Sequence, residues 1–113
     1  MGDVPVVPNA PLTSTKGIKP GDVLLVAVRL LDKRTREPFW WRRFVAVLDV
    51  DDRTLLTVLS LKPIVDIAKD LRTIQISTPD TVVTLVPQEQ WPQGVSAMWM
   101  KYAAMGLIKL DQP

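Results

Sequence analysis

The residues best suited to bind or act on another molecule are concentrated between Arg29 and Arg43. Six cationic and two acidic side chains among these fifteen residues leave a local charge of +4. Three consecutive aromatic residues lie beside the cations, and a further tryptophan follows much later in the chain. The candidate binding residues are Arg34, Arg36, Phe39, Trp40, Trp41, Arg42, Arg43 and Trp91.

This segment supports three interpretations. Lysines and arginines beside aromatic rings can neutralise phosphates and stack bases, which indicates nucleic-acid binding. Tryptophan and arginine are also the common anchors of protein interfaces. In the third interpretation the segment is a solvated loop, with its aromatic rings anchored to the core and its arginine stems lying over them. The sequence leaves all three open.

The absence of two residue types restricts the chemistry. The chain contains no cysteine and no histidine, which excludes disulfides, thiolate nucleophiles and the Ser-His and Cys-His pairs of most hydrolases. Asp49, Asp51 and Asp52 are close together but match no calcium loop. The five glycines are too scattered to form a phosphate-binding loop. We therefore expect no cofactor and no metal site, and these absences favour a protein without catalytic activity over an enzyme.

The elements that position these residues belong to one domain, because 113 residues suffice for a single core. Residues 1–17 contain three prolines and no strand or helix pattern, which predicts an extended arm ahead of a domain over residues 18–113. Such an arm packs either on its own domain or on a neighbouring chain. No apolar run is long enough to span a bilayer, and no signal peptide is visible. We expect a cytoplasmic protein without a membrane partner, or a virion location if the gene belongs to a phage.

Apolar and β-branched runs between turn residues predict five strands, at Val23–Val28, Phe39–Val50, Thr54–Leu61, Thr73–Ser77 and Thr81–Val86. Asp32 to Pro38 should form a long hairpin loop. Helical spacing predicts one or two turns of helix between Pro63 and Leu71, and a longer helix over Val95–Met105 that ends at Gly106. The expected fold is mainly β: a single small SH3-like antiparallel barrel of about five strands, with an N-terminal extended arm and a C-terminal helix.

Three stretches carry a resemblance to a known family. The run KPGDVLLV from Lys19, the run RRFVAVL from Arg42 and the run LTVLS ending at Ser60 together resemble the opening of the PemK/MazF-like ribonuclease toxins. The resemblance covers about residues 19–60. It implies a metal-independent ribonuclease in which Arg43 assists cleavage beside the scissile phosphate and Ser60 supplies a hydroxyl at the end of the third strand.

The residue types favour a function without catalysis. We predict a structural or assembly module that acts through protein–protein contacts, as a homo-oligomer or in a larger assembly such as a phage virion or particle. The alternative is a PemK/MazF-like endoribonuclease toxin, or another nucleic-acid-binding SH3-like domain that uses the Arg29–Arg43 segment.

Overall fold

The computed structural model of the chain describes residues 11–62, 71–76 and 78–109. Its elements are β1 (Val23–Leu31), β2 (Pro38–Val50), β3 (Leu55–Ser60), β4 (Leu71–Gln75), β5 (Thr81–Leu85) and the helix α1 (Gln93–Ala104). The mainly β class, the five antiparallel strands and the C-terminal helix are therefore confirmed.

The five strands form one sheet in the order β4-β3-β2-β1-β5, and every neighbouring pair is antiparallel. β1 lies inside the sheet, between β2 and β5, as its continuous apolar run predicts. Among the described residues no ladder joins β4 to β5, so the sheet is open along these two edges. Closure into a barrel stays a prediction.

Each face of the sheet packs against its own apolar cluster, and the alternation of residues along β2 explains why. Val45 and Val47 belong to the cluster on what we call the inner face, whereas Ala46 belongs to the cluster on the outer face, with Phe44 packed against it. A register shift between Val47 and Asp49 interrupts this alternation. The alternation of faces along β2 therefore holds up to the shift.

α1 covers part of the outer face. Its buried residues are Val95 and Tyr102, which pack in the outer cluster. The Tyr102 hydroxyl donates to the Lys62 carbonyl at 3.2 Å, and Trp99 Nε1 donates to the Gly21 carbonyl at 2.8 Å. These two bonds tie the helix to the ends of strands that are distant in the sequence.

The end of α1 follows the predicted pattern. Gly106 has a φ of 80°, a left-handed conformation that glycine adopts without a steric penalty. The Gly106 N–H donates to the Ala103 carbonyl at 3.0 Å, and the Leu107 N–H donates to the Tyr102 carbonyl at 3.0 Å. The predicted helix and its C-terminal cap are confirmed.

The described part of the N-terminal arm packs on its own domain. The Leu12 N–H donates to the Val83 carbonyl at 2.7 Å, beside the edge of β5. Thr15 is buried, and its hydroxyl donates to the Asp52 carbonyl at 2.9 Å. Residues 11–17 therefore pack on their own chain, which is one of the two locations expected for the arm. Residues 1–10 lie outside the described residues.

The prediction of a helix between Pro63 and Leu71 is wrong at its C-terminal end. Leu71 is the first residue of β4 and pairs with Leu59 of β3, so backbone pairing overrides the helical spacing at this position. Residues 63–70, where the rest of that prediction falls, lie outside the described residues. β4 also begins two residues before the predicted Thr73, and Ser77 lies outside the described residues.

Candidate functional site: the β1–β2 hairpin and the inner-face cavity

The β1–β2 hairpin extends beyond its neighbouring strands. The two strands pair continuously from Val23 with Ala46 to Leu31 with Pro38. The ladder between β1 and β5 ends at Val28, and the ladder between β2 and β3 ends at Val45. Among the described strands, residues 29–31 and 38–40 are therefore in a ladder only with each other. We call residues 29–41 the projecting hairpin.

Hydrogen bonds fix the loop at the end of the projecting hairpin. Asp32 Oδ1 accepts from the backbone N–H of Arg34 at 2.7 Å and of Thr35 at 3.0 Å. These bonds, chiefly the one from Thr35, lower the pKa of the Asp32 carboxyl. Arg36 adopts a φ of 63°, and its N–H donates to the Asp32 carbonyl at 2.9 Å. Arg34 and Arg36 are thereby held exposed at the tip.

Strand alternation separates the aromatic residues of the projecting hairpin into two groups. Trp41 and Arg43 lie on the inner face, where they line a cavity together with residues of the inner cluster. Trp40 and Arg42 lie on the outer face, beside Leu25. Alternation places Phe39 on the inner face. The structure therefore does not gather the predicted cations into one patch, because they occupy both faces and the tip.

The inner-face cavity has a volume of about 190 Å³. Valines of β1, β2 and β3 form its apolar walls, and its polar lining includes Arg43, Ser60 and Arg72. Ser60 pairs with Val45 across the β2–β3 ladder, which places it diagonally across from Arg43. The two residues that the family resemblance singled out thus line the same cavity.

The surroundings of Arg43 and Ser60 differ. The Arg43 guanidinium lies over the Trp41 ring, 4.0 Å from its centroid, in a cation–π contact. Ser60 is only 3% exposed, and within residues 11–62, 71–76 and 78–109 its hydroxyl has no hydrogen-bond partner. A buried polar atom without a hydrogen-bond partner is uncommon and costly. The Ser60 hydroxyl is therefore the feature of this cavity that most strongly suggests a bound ligand.

Trp91 lies apart from the hairpin. Its ring is 5.5 Å from that of Trp99 on α1, and its Nε1 donates to the Val86 carbonyl at 2.9 Å. It packs against the outer cluster. The structure therefore does not bring this candidate residue to the other seven.

The sequence patterns did not identify Arg72, Leu30 or Leu31 as residues of a candidate site. Arg72 lines the cavity, and its Nη1 donates to the Leu71 carbonyl at 2.9 Å. No pattern near position 72 indicates that it shares a cavity with position 43, because the pairing of β2, β3 and β4 brings the two residues to that cavity. The two leucines follow a continuous apolar run, and that run was the available indication that β1 continues into the hairpin.

The carboxylates of Asp49, Asp51 and Asp52 make local hydrogen bonds. Asp51 Oδ2 accepts from the Thr57 hydroxyl at 2.6 Å, and Asp52 Oδ1 accepts from the Arg53 N–H at 2.6 Å. No group of three potential metal ligands occurs in the described part of the chain.

Comparison with known proteins finds no family model, no curated protein and no solved structure that matches this chain. Within the described ranges, no helix has the length and apolarity needed to cross a bilayer. The projecting hairpin and the inner-face cavity therefore carry the functional interpretation.

Proposed function

We propose that this chain is a non-catalytic assembly module that binds protein partners, in the first place other copies of itself, through the projecting hairpin. One observation carries the proposal. Of the eight large hydrophobic side chains that are exposed among the described residues, five lie on this hairpin. They are Leu30, Leu31, Phe39, Trp40 and Trp41. A concentration of exposed apolar and aromatic side chains is typical of an interaction surface.

The geometry of the hairpin supports the same proposal. A two-stranded ribbon is marginally stable in water, and it gains stability when a third element packs against it. Its exposed apolar side chains lie on both faces, with Trp41 on the inner face and Trp40 on the outer face. A partner that covers either face would remove apolar surface from water.

The charges at the tip favour a second copy as the partner. The loop carries Asp32 and Glu37 together with three cations, so two loops can meet with opposite charges opposed. Symmetric pairs of identical chains bury the same patch on both copies, which suits a surface of mixed sign. The overall charge of only +2 opposes this association weakly.

We further propose that such a module belongs to a phage virion or a similar particle. Residues 11–17 pack on their own domain, so they are engaged in contacts within the chain. The projecting hairpin is therefore the element that we assign to contacts between neighbouring subunits.

Sedimentation of the full chain over a wide range of concentration tests the proposal. We expect concentration-dependent self-association that Trp40→Ala weakens by more than about 1 kcal/mol, or roughly fivefold in the dissociation constant. Met100→Ala is the matched control, because Met100 is 66% exposed but lies on α1. Lys33→Ala should also change little. A wild-type chain that stays monomeric throughout would refute the homotypic contact.

A second candidate function, RNA cleavage, is favoured by the presence of Arg43 and Ser60 in one cavity. An arginine and a hydroxyl could stabilise the charge of a phosphorane without histidine. Ser60 weighs against this candidate, because its hydroxyl is only 3% exposed and lies in a cavity of about 190 Å³, which has room for one small ring but not for the backbone of an RNA strand. We therefore rank it below the assembly module.

A cleavage assay on single-stranded RNA separates the two candidates. A ribonuclease of the resembled type should lose cleavage on Arg43→Ala while it keeps its fold. Arg42→Ala is the matched control, since Arg42 is adjacent on β2 but lines the outer face. If the wild-type chain cleaves RNA and only Arg43→Ala abolishes cleavage, the non-catalytic assignment is wrong.

A further inference from the structure

We infer that the inner-face cavity is a binding site for a small aromatic acid that carries a hydroxyl at the end remote from its carboxylate. This inference does not rest on the projecting hairpin's role in assembly, although Trp41 belongs to both the hairpin and the cavity lining. It depends on three properties of the cavity, namely its volume, the unpartnered hydroxyl of Ser60 and the cation at Arg43.

The volume selects the size of the ligand. At about 190 Å³ the cavity is somewhat larger than a benzene ring requires. Apolar protein cavities of about 150 Å³ accept benzene. Its walls are mostly apolar, because valines from three strands line it. One aromatic ring with a small substituent therefore matches the space and its lining.

The Ser60 hydroxyl selects a polar atom at one end of the ligand. Ser60 is 3% exposed, lines the cavity and has no hydrogen-bond partner in the described part of the chain. A hydroxyl can donate one hydrogen bond and accept others. A phenolic hydroxyl on the ligand would satisfy this buried group, whereas an unsubstituted ring would leave it without a partner.

Arg43 selects a negative charge at the other end. Its guanidinium lies over Trp41, which is 37% exposed. The ion pairs formed among the described residues join Lys19 to Asp22 and Arg29 to Asp80, so neither involves Arg43. A guanidinium forms strong, short hydrogen bonds with a carboxylate. The Arg43 guanidinium lies over Trp41, whereas Ser60 pairs with Val45, four residues further along β2. A ligand whose ring lies between the valines can therefore direct its carboxylate to Arg43 and its hydroxyl to Ser60.

Three matched compounds test the inference on the full chain. The parent probe is p-hydroxyphenylpropionate, phenylpropionate lacks the hydroxyl, and p-hydroxyphenylpropionamide lacks the charge. Binding is followed by backbone NMR shifts of β2 and β3 and by tryptophan fluorescence. We expect the parent to bind with a dissociation constant of about 1 mM or tighter. Each analogue should bind about 3- to 10-fold more weakly.

Two variants test which protein side chain recognises the hydroxyl of the ligand and which recognises its carboxylate. Ser60→Ala should abolish the preference for the hydroxyl and leave the affinity for phenylpropionate unchanged. Arg43→Gln should abolish the preference for the acid over the amide. Arg42→Gln, on the outer face, is the control that should change neither preference. Circular dichroism of each variant checks that it is folded.

Three results would overturn the inference. The first is no saturable binding of any of the three compounds to the folded wild-type chain. The second is a set of preferences that the Ser60 and Arg43 variants leave unchanged. The third is displacement of the parent compound by a single-stranded RNA oligomer that binds more tightly, which would assign the cavity to nucleic acid. Loss of self-association in Trp40→Ala, whose side chain lies on the outer face, affects none of these outcomes, so this test and the test of assembly fail separately.

Discussion

Arg43 and Trp41 are two residues apart on β2, and the guanidinium carbon of Arg43 lies 4.0 Å from the centroid of the Trp41 ring. The contact joins the projecting hairpin to the inner-face cavity, because both residues line the cavity and Trp41 belongs to the hairpin. It also orients a cation that has no ion pair with an acidic side chain among the described residues. The two candidate sites of this protein are therefore neighbours along one strand.

The packing of α1 on the sheet should contribute a large part of the stability. Tyr102 is 1% exposed in the outer cluster, so we expect Tyr102→Ala to lower the free energy of unfolding by about 3–5 kcal/mol. Met100→Ala on the same helix should cost less than about 0.5 kcal/mol, because Met100 is exposed. Urea unfolding measures both variants. Equal losses would show that α1 is not docked through Tyr102.

The arm should stabilise the domain through Thr15. Its hydroxyl donates to the Asp52 carbonyl at 2.9 Å, so we expect Thr15→Ala to cost about 1–2 kcal/mol. Thr15→Ser keeps the hydroxyl and should recover much of the loss. Thr13→Ala, at an exposed position, serves as the control. A thermal melt of Thr15→Ala that matches the wild type would show that this part of the arm contributes no stability.

Two glycines of the C-terminal region should respond in opposite directions to alanine. Gly106 has a φ of 80°, so Gly106→Ala should destabilise the domain by about 1 kcal/mol. Gly94 lies in the first turn of α1, and a Cβ there would meet no atom within 4 Å. Gly94→Ala should therefore stabilise it by about 0.5–1 kcal/mol. Unfolding curves that shift in the same direction would contradict this pair of predictions.

The hairpin loop should lose stability in acid. Backbone hydrogen bonds lower the pKa of Asp32 in the folded state, so its contribution is present above the unfolded value of about 4. That contribution is lost as the pH falls through the folded value. Asp32→Ala should therefore differ most from the wild type at neutral pH, and the difference should shrink as the pH falls through the lowered pKa of Asp32. Amide exchange in the loop measures the difference, and Glu37→Ala is the control from the same loop.

The sequence by itself determined the local structure. Apolar and β-branched runs between turn residues predict β1, β2, β3 and β5 to within three residues at each end, because such runs favour extended backbone whichever strand lies beside them. Helical spacing before Gly106 predicts α1 in the same way. The turn that contains Asp51 and Asp52 and the loop that follows Asp32 are rich in residues that favour turns and contact with solvent.

Only the tertiary structure decided which distant residues are neighbours. Ser60 and Arg43 line the same cavity because β2 and β3 pair in one register, and a shift of one residue would turn Ser60 to the opposite face. Leu12 contacts Val83, and Trp91 packs against Trp99 instead of the hairpin tryptophans. Each of these outcomes depends on the summed free energy of many contacts between segments that are remote in the sequence. No pattern within one segment contains that sum, so the strands were predictable from the sequence and the shared cavity of Arg43 and Ser60 was not.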